Sequence, residues 1–191
     1  MSLVLASSLL IACTPSYDWR EIQPAEEPFV FMLPGKPVAM TRKINLDGLP
    51  VDMRMHGAQV NQLSFTAAWT TLDESATELN DRPAIRAQAL SAMQAGMTRN
   101  IAGSVVSSEE QLLPIIDSTG TPIGQVPGVK VHIRGTARGE PADMIAVFVG
   151  FGATLYQFVV LGADPPAEHV ETFLGSLRLR AGKPSAVALT S

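Results

Sequence analysis

Met144-Ile145-Ala146-Val147-Phe148-Val149, then a turn over Gly150 to Ala153, then Leu155-Tyr156-Gln157-Phe158-Val159-Val160-Leu161: this stretch decides the fold. Both runs are short and rich in β-branched and aromatic residues. They are apolar at successive positions, with Gln157 as the polar exception. A strand with one wet face alternates, whereas a strand apolar on both faces belongs mid-sheet with cover on each side. These two strands are therefore the predicted centre of a sheet.

Moving outward, the neighbouring strands alternate. Val129, Val131 and Ile133 alternate with Lys130, His132 and Arg134; Val51, Met53 and Met55 alternate with Asp52, Arg54 and His56. Leu63, Phe65, Ala67 and Trp69 follow the same pattern, so each of these strands buries one face. Phe29 to Leu33 is a strand ended by Pro34-Gly35, and Val38 to Asn45 leads into Asp47-Gly48, a hairpin signal. Val105-Val106 to Ile116 comes next, with Leu112, Leu113, Ile115 and Ile116 on a strand interrupted by Pro114, which predicts an edge or a bulge. Asp117 to Pro127 reads as a loop.

Two helices are expected. Pro83 to Ala102 carries Ile85, Ala89, Met93, Met97 and Ile101 at helical spacing, with Asp81 as cap and Gly103 as stop. The second starts near Pro165-Pro166 and places Val170, Phe173, Leu174 and Leu177 on one face. The methionines of the first helix read as core filling.

The amino-terminal end has a different character. Leu3 to Ala12 is apolar but too short to span a bilayer, which takes ~20 apolar residues. It leads into Cys13, the one cysteine of the chain. Leu10, Ala12 and Cys13 resemble the bacterial lipoprotein signal, although no Lys or Arg stands between Met1 and Cys13. The resemblance implies removal of residues 1–12 and a lipid on Cys13, with the protein facing the periplasm. Thr14 in place of Asp implies the outer rather than the inner membrane. Residues 13–27 read as a tether, 28–180 as one domain, and 181–191 as a tail without periodicity. Trp19 in the tether reads as docking on the domain.

Hydrophobic residues make up 46% of the 191, enough for a core. The net charge of -4, with no basic run, argues against nucleic-acid binding. His56, His132 and His169 have no metal-motif spacing, and no Gly-x-Ser-x-Gly elbow is present. Gly150-Phe151-Gly152 lies between two strands and reads as a hairpin rather than a phosphate cradle. No catalytic residue, metal or cofactor is therefore expected. Trp19 and Phe151 are the candidate contact residues for a partner.

The last third resembles the PsbP-like (Mog-type) domains, including DcrB-like lipoproteins. The carrying residues are Thr154 to Val160, Asp164-Pro165 and Phe173-Leu174-Gly175-Ser176-Leu177-Arg178-Leu179, with Pro34-Gly35-Lys36-Pro37 near the start. The resemblance implies an α+β fold: an antiparallel sheet with helices on both faces, an α/β/α sandwich. It also implies binding rather than catalysis. The resulting expectation is a non-catalytic accessory or protein-binding lipoprotein of the bacterial envelope. Two alternatives stay open. One is a carrier or sensor holding a small apolar ligand between helix and sheet, with Met93 and Met97 in its lining. The other is an enzyme using His56 or His132.

Overall fold

The computed structural model describes residues 16–25, 27–75 and 77–181. The expected signal, Cys13 and the tail after Ala181 lie outside the described residues. Along the chain run β1 (Arg20–Ile22), β2 (Phe29–Leu33), β3 (Val38–Leu46), β4 (Leu49–Val60), β5 (Leu63–Thr71) and α1 (Arg82–Asn100). Then come β6 (Ser104–Ile116), β7 (Pro122–Ala137), β8 (Glu140–Phe151), β9 (Thr154–Gly162), α2 (Ala167–Leu174) and β10 (Arg178–Arg180).

All the strands join one sheet in the order β1-β2-β10-β6-β7-β8-β9-β5-β4-β3. β8 and β9 are central, as their two-sided apolar character requires. Every neighbouring pair is antiparallel except β10 and β6, which run parallel with Leu179 opposite Ile115. At the β3–β4 hairpin Asp47 and Gly48 take φ of 52° and 94°, the two positive values that a type I′ turn needs.

The sheet curls. Five strands separate β2 from β5 in the sheet order. Even so, the ring of Phe29 lies 5.0 Å from Trp69 and 5.0 Å from Tyr156 of β9. The β1–β2 end therefore folds over the face of β5 and β9 that carries Phe65, Trp69, Tyr156 and Phe158. α2 packs on the same face through Val170, Phe173 and Leu174. α1 crosses the opposite face and buries Ala89 and Met93 against Ala68, Ala146, Phe148 and Val159. Each large side chain removed from water in this way contributes ~1.5–3 kcal/mol.

The expected α/β/α sandwich on an antiparallel sheet is not what forms. Strand accounts for 55% of the described residues and helix for 16%, in a curled, mixed, ten-stranded half-barrel. The two-sided apolar strands do signal cover on both faces. On one face, however, much of that cover is the sheet's own far end, and α2 is only eight residues long. A helical layer was the wrong inference.

Two local expectations also shift, and a third, the edge position of Pro114, holds. Arg20–Ile22, within the stretch read as tether, pairs with β2 as an edge strand. Pro122 to Pro127, read as loop, pairs with β6, so only Asp117 to Thr121 turns. Pro114 sits inside β6, but β10 covers only Ile115 and Ile116 on that flank. Its missing N–H therefore breaks no ladder bond there. Among the described residues, no helix is long and apolar enough to cross a membrane.

Candidate functional site

The histidines are held apart. β4, with His56, and β7, with His132, are separated by β8, β9 and β5. His132 Nε2 bonds Asp143 Oδ1, which also accepts from Arg134 Nε at 3.2 Å. The His132 hydrogen bond, and then Arg134, hold the Asp143 carboxyl below its usual range against the opposing effect of burial. This is an ion network on the sheet surface. His169 stacks on Tyr17 at 3.6 Å. Among the described residues, no three His, Cys, Asp or Glu side chains converge as a metal site would require.

Trp19 is half-buried, edge-on to Phe65 at 5.8 Å and stacked with Tyr17 at 6.1 Å. Phe151 is half-buried at the end of β8 and packs on the same core. Both contribute to the packing of the domain. Cys13 lies outside the described residues.

Two recesses stand out, one on each face. The first is a groove of about 270 Å³ between α1 and the β3–β4 hairpin. Met53 and Met55 line it from the sheet, and Met93 and Met97 from the helix. Met40 and Met55 line an adjoining recess along β3 and β4 that shares Arg42. Five of the eight methionines thus gather on one surface. Methionine is unbranched and polarizable, so such a lining adapts to varied apolar shapes.

Two features of the groove go beyond core filling. Gly96 is part of its wall, and a β-carbon there would meet only the Arg99 guanidinium, at 3.9 Å. A glycine inside a helix costs ~1 kcal/mol relative to alanine, and here it leaves the wall open. Gln157, the polar exception in β9, also lines the groove. Its amide donates to Met97 Sδ at 3.7 Å, a weak acceptor. Arg42 and Arg99 complete the lining with positive charge.

The second recess, of about 340 Å³, lies under the segment leading into β2. Arg54, Trp69 and Tyr156 are cross-strand neighbours on β4, β5 and β9 and form one row. His56 stands two residues from Arg54, its ring 5.2 Å from Trp69. Glu27, from the covering segment, is ion-paired with Arg54, and the Arg54 guanidinium lies 5.7 Å from the Trp69 ring centre. Among the described residues, His56 Nδ1, Trp69 Nε1 and Tyr156 Oη are buried without a well-formed hydrogen bond, although the Thr154 side chain stands near Tyr156 Oη. Each such group costs ~1–3 kcal/mol. Burial favours the neutral forms, lowering the His56 pKa and pushing the Tyr156 hydroxyl up to about 12.

Gly96 was legible in the sequence as a glycine inside a helical pattern. The Arg54–Trp69–Tyr156 row was not, because its members are neighbours only once the strand order is known.

No protein-family model matches the sequence, and no curated protein does. Solved structures resemble the fold. The solution structure of the cyanobacterial PsbP protein CyanoP from Synechocystis sp. PCC 6803 matches with a TM-score of 0.50 and 10% identity, over 88% of this chain and 95% of that one. A putative regulator of unknown function from Pseudomonas aeruginosa, PA94, matches with a TM-score of 0.37 at 9% identity, over 80% and 88%. The T6SS immunity protein TplEi from the same organism matches with a TM-score of 0.37 at 16% identity, over 86% and 55%. The likeness to CyanoP spans nearly all of both chains at an identity that speaks for fold alone: this chain has a PsbP-like fold.

Proposed function

We propose that this protein is a non-catalytic binding module of the bacterial cell envelope, tethered through a lipid on Cys13. In this reading it takes up a small amphipathic molecule in the methionine-lined groove. One observation carries the binding role: the open wall at Gly96, facing Met53, Met55 and Met97, beside the buried amide of Gln157. An apolar tail suits the thioethers, and a carboxylate head suits Arg42 and Arg99. The anchor rests on the Leu10 to Cys13 motif. The DcrB-like, Mog-type relationship rests on the motifs at Pro34 to Pro37 and Phe173 to Leu179.

Displacement of a fluorescent fatty acid by decanoate tests the groove. Wild type is expected to show saturable, salt-sensitive displacement, and Gly96→Leu, which fills the groove from the helix, is expected to lose it. Displacement unchanged in Gly96→Leu contradicts the site. Mass spectrometry of native material tests the anchor, with an acylated Cys13 as the mature amino terminus the expected result.

A second reading, binding of a protein partner, is favoured by β6. From Ser104 to Pro114 one flank of β6 carries no strand among the described residues, and Val105, Val106 and Leu112 are exposed. An open strand edge invites an added strand. A photo-crosslinker at Val106 in intact envelopes should capture one discrete species if a partner binds there.

A further inference from the structure

The recess under the amino-terminal segment has a chemistry distinct from that of the groove. Its lining includes Pro24, Glu27, Thr41, Arg54, His56 and Trp69. Trp69 is only 2% exposed, yet its indole nitrogen has no partner among the described residues. An indole N–H can only donate, so what completes it must carry an acceptor. Tyr156 Oη and His56 Nδ1, flanking Trp69, are in the same position. These unmatched polar atoms gather around one aromatic side chain, and a cluster of that kind calls for an explanation.

The charge pattern narrows the ligand. Arg54 presents a guanidinium whose fork matches a carboxylate, and Glu27 shows that a carboxylate reaches it. Glu27, however, belongs to the covering segment and leaves the three orphaned atoms unserved. Two rings line the recess, Trp69 and His56, set edge to face with centres 5.2 Å apart.

We propose that the row formed by Arg54, Trp69 and Tyr156, with His56 beside it, binds a small planar carboxylate, for which the Glu27 side chain is the built-in competitor. The ligand's carboxylate takes the Arg54 fork, and one of its oxygens accepts from Trp69 Nε1. Its ring lies against the Trp69 and His56 rings. The Glu27 side chain swings off Arg54 to admit it. The proposal does not rest on the groove of the α1 face, with which the recess shares Met55 at the edge of the sheet.

The indole N–H of Trp69 is a direct reporter. The chain has two tryptophans, so in a Trp19→Phe background the single indole resonance in a ¹H–¹⁵N spectrum belongs to Trp69. Benzoate is expected to shift that resonance saturably. Benzyl alcohol, the uncharged analogue, and acetate, the carboxylate without a ring, are expected to fall short. Glu27→Gln removes the competitor and should tighten benzoate binding about tenfold, equivalent to ~1.4 kcal/mol. Arg54→Gln should abolish it while far-UV circular dichroism stays native. A resonance unmoved by benzoate in both the parent and Glu27→Gln, as when ordered water alone fills the recess, overturns the proposal. So does equal binding of benzyl alcohol, or full benzoate binding in folded Arg54→Gln.

Discussion

At the scale of single residues, His56 and Gly96 give the sharpest consequences. Burial lowers the folded pKa of His56 below its ordinary 6.5, so the unfolded chain takes up a proton at higher pH than the folded one. The stability linked to this residue is complete above pH 6.5 and is lost as pH falls through the lowered value. Urea unfolding at pH 7.5 and 5.5 should therefore show a loss in wild type that shrinks in His56→Phe. Gly96→Leu should raise stability by ~0.5–1 kcal/mol, because a good helix former replaces glycine with open space before it. A groove-filling variant that is more stable but cannot bind would separate function from folding. Gln157 was visible in the sequence as a polar residue in apolar company, whereas His56 read as part of the polar face of its strand. Their partners were not visible, since a side chain's surroundings depend on strand order. Met97, read as core filling, does pack against the core of the α1 face, and it also lines the groove and accepts from Gln157.

At the scale of elements, alternation was a good guide wherever one face is wet. Leu63 to Trp69 and Val129 to Ile133 sit in strands as their periodicity demands. The guide failed where composition and pairing conflict. Pro122 to Pro127 reads as loop from its Gly and Pro content, yet it pairs along β6 because the partner's backbone is available. The turn left behind is held by Asp117, whose carboxylate accepts from the Thr119 and Thr121 amides and whose pKa falls accordingly, with the Thr119 hydroxyl the leading cause. Where α1 gives way to β6 the packing is tight. A β-carbon on Gly135 would sit 2.3 Å from the Ile101 carbonyl oxygen and 2.8 Å from Gly103 Cα. Both obstacles are backbone, so Gly135→Ala should cost ~1–3 kcal/mol in thermal or urea unfolding. An unchanged midpoint would mean that the α1–β6 junction is looser than described.

For the whole molecule, the two-sided apolar strands β8 and β9 announced cover on both faces but not its source. The sheet curls so that Phe29 and Phe31 of β2 reach Trp69, Tyr156 and Phe158 from across the strand order. Contacts so distant in sequence leave no periodic trace, which is why a helical sandwich was inferred. Phe29 is wholly buried and joins the two ends of the half-barrel. Phe29→Ala should cost ~3–5 kcal/mol, a large share of a typical domain's 5–15 kcal/mol, and should broaden the Trp69 resonance. A loss below ~1 kcal/mol would show that the β1–β2 end does not close over β5 and β9.

The central claim is that the space between α1 and the β3–β4 hairpin is a ligand site rather than slack in the core. Methionine methyl groups labelled with ¹³C and titrated with decanoate test it most directly. Met53, Met55, Met93 and Met97 should shift together and saturate at one concentration, while Met32, on β2, stays still. Shifts scattered over all the methionines, or none at these four, would contradict it.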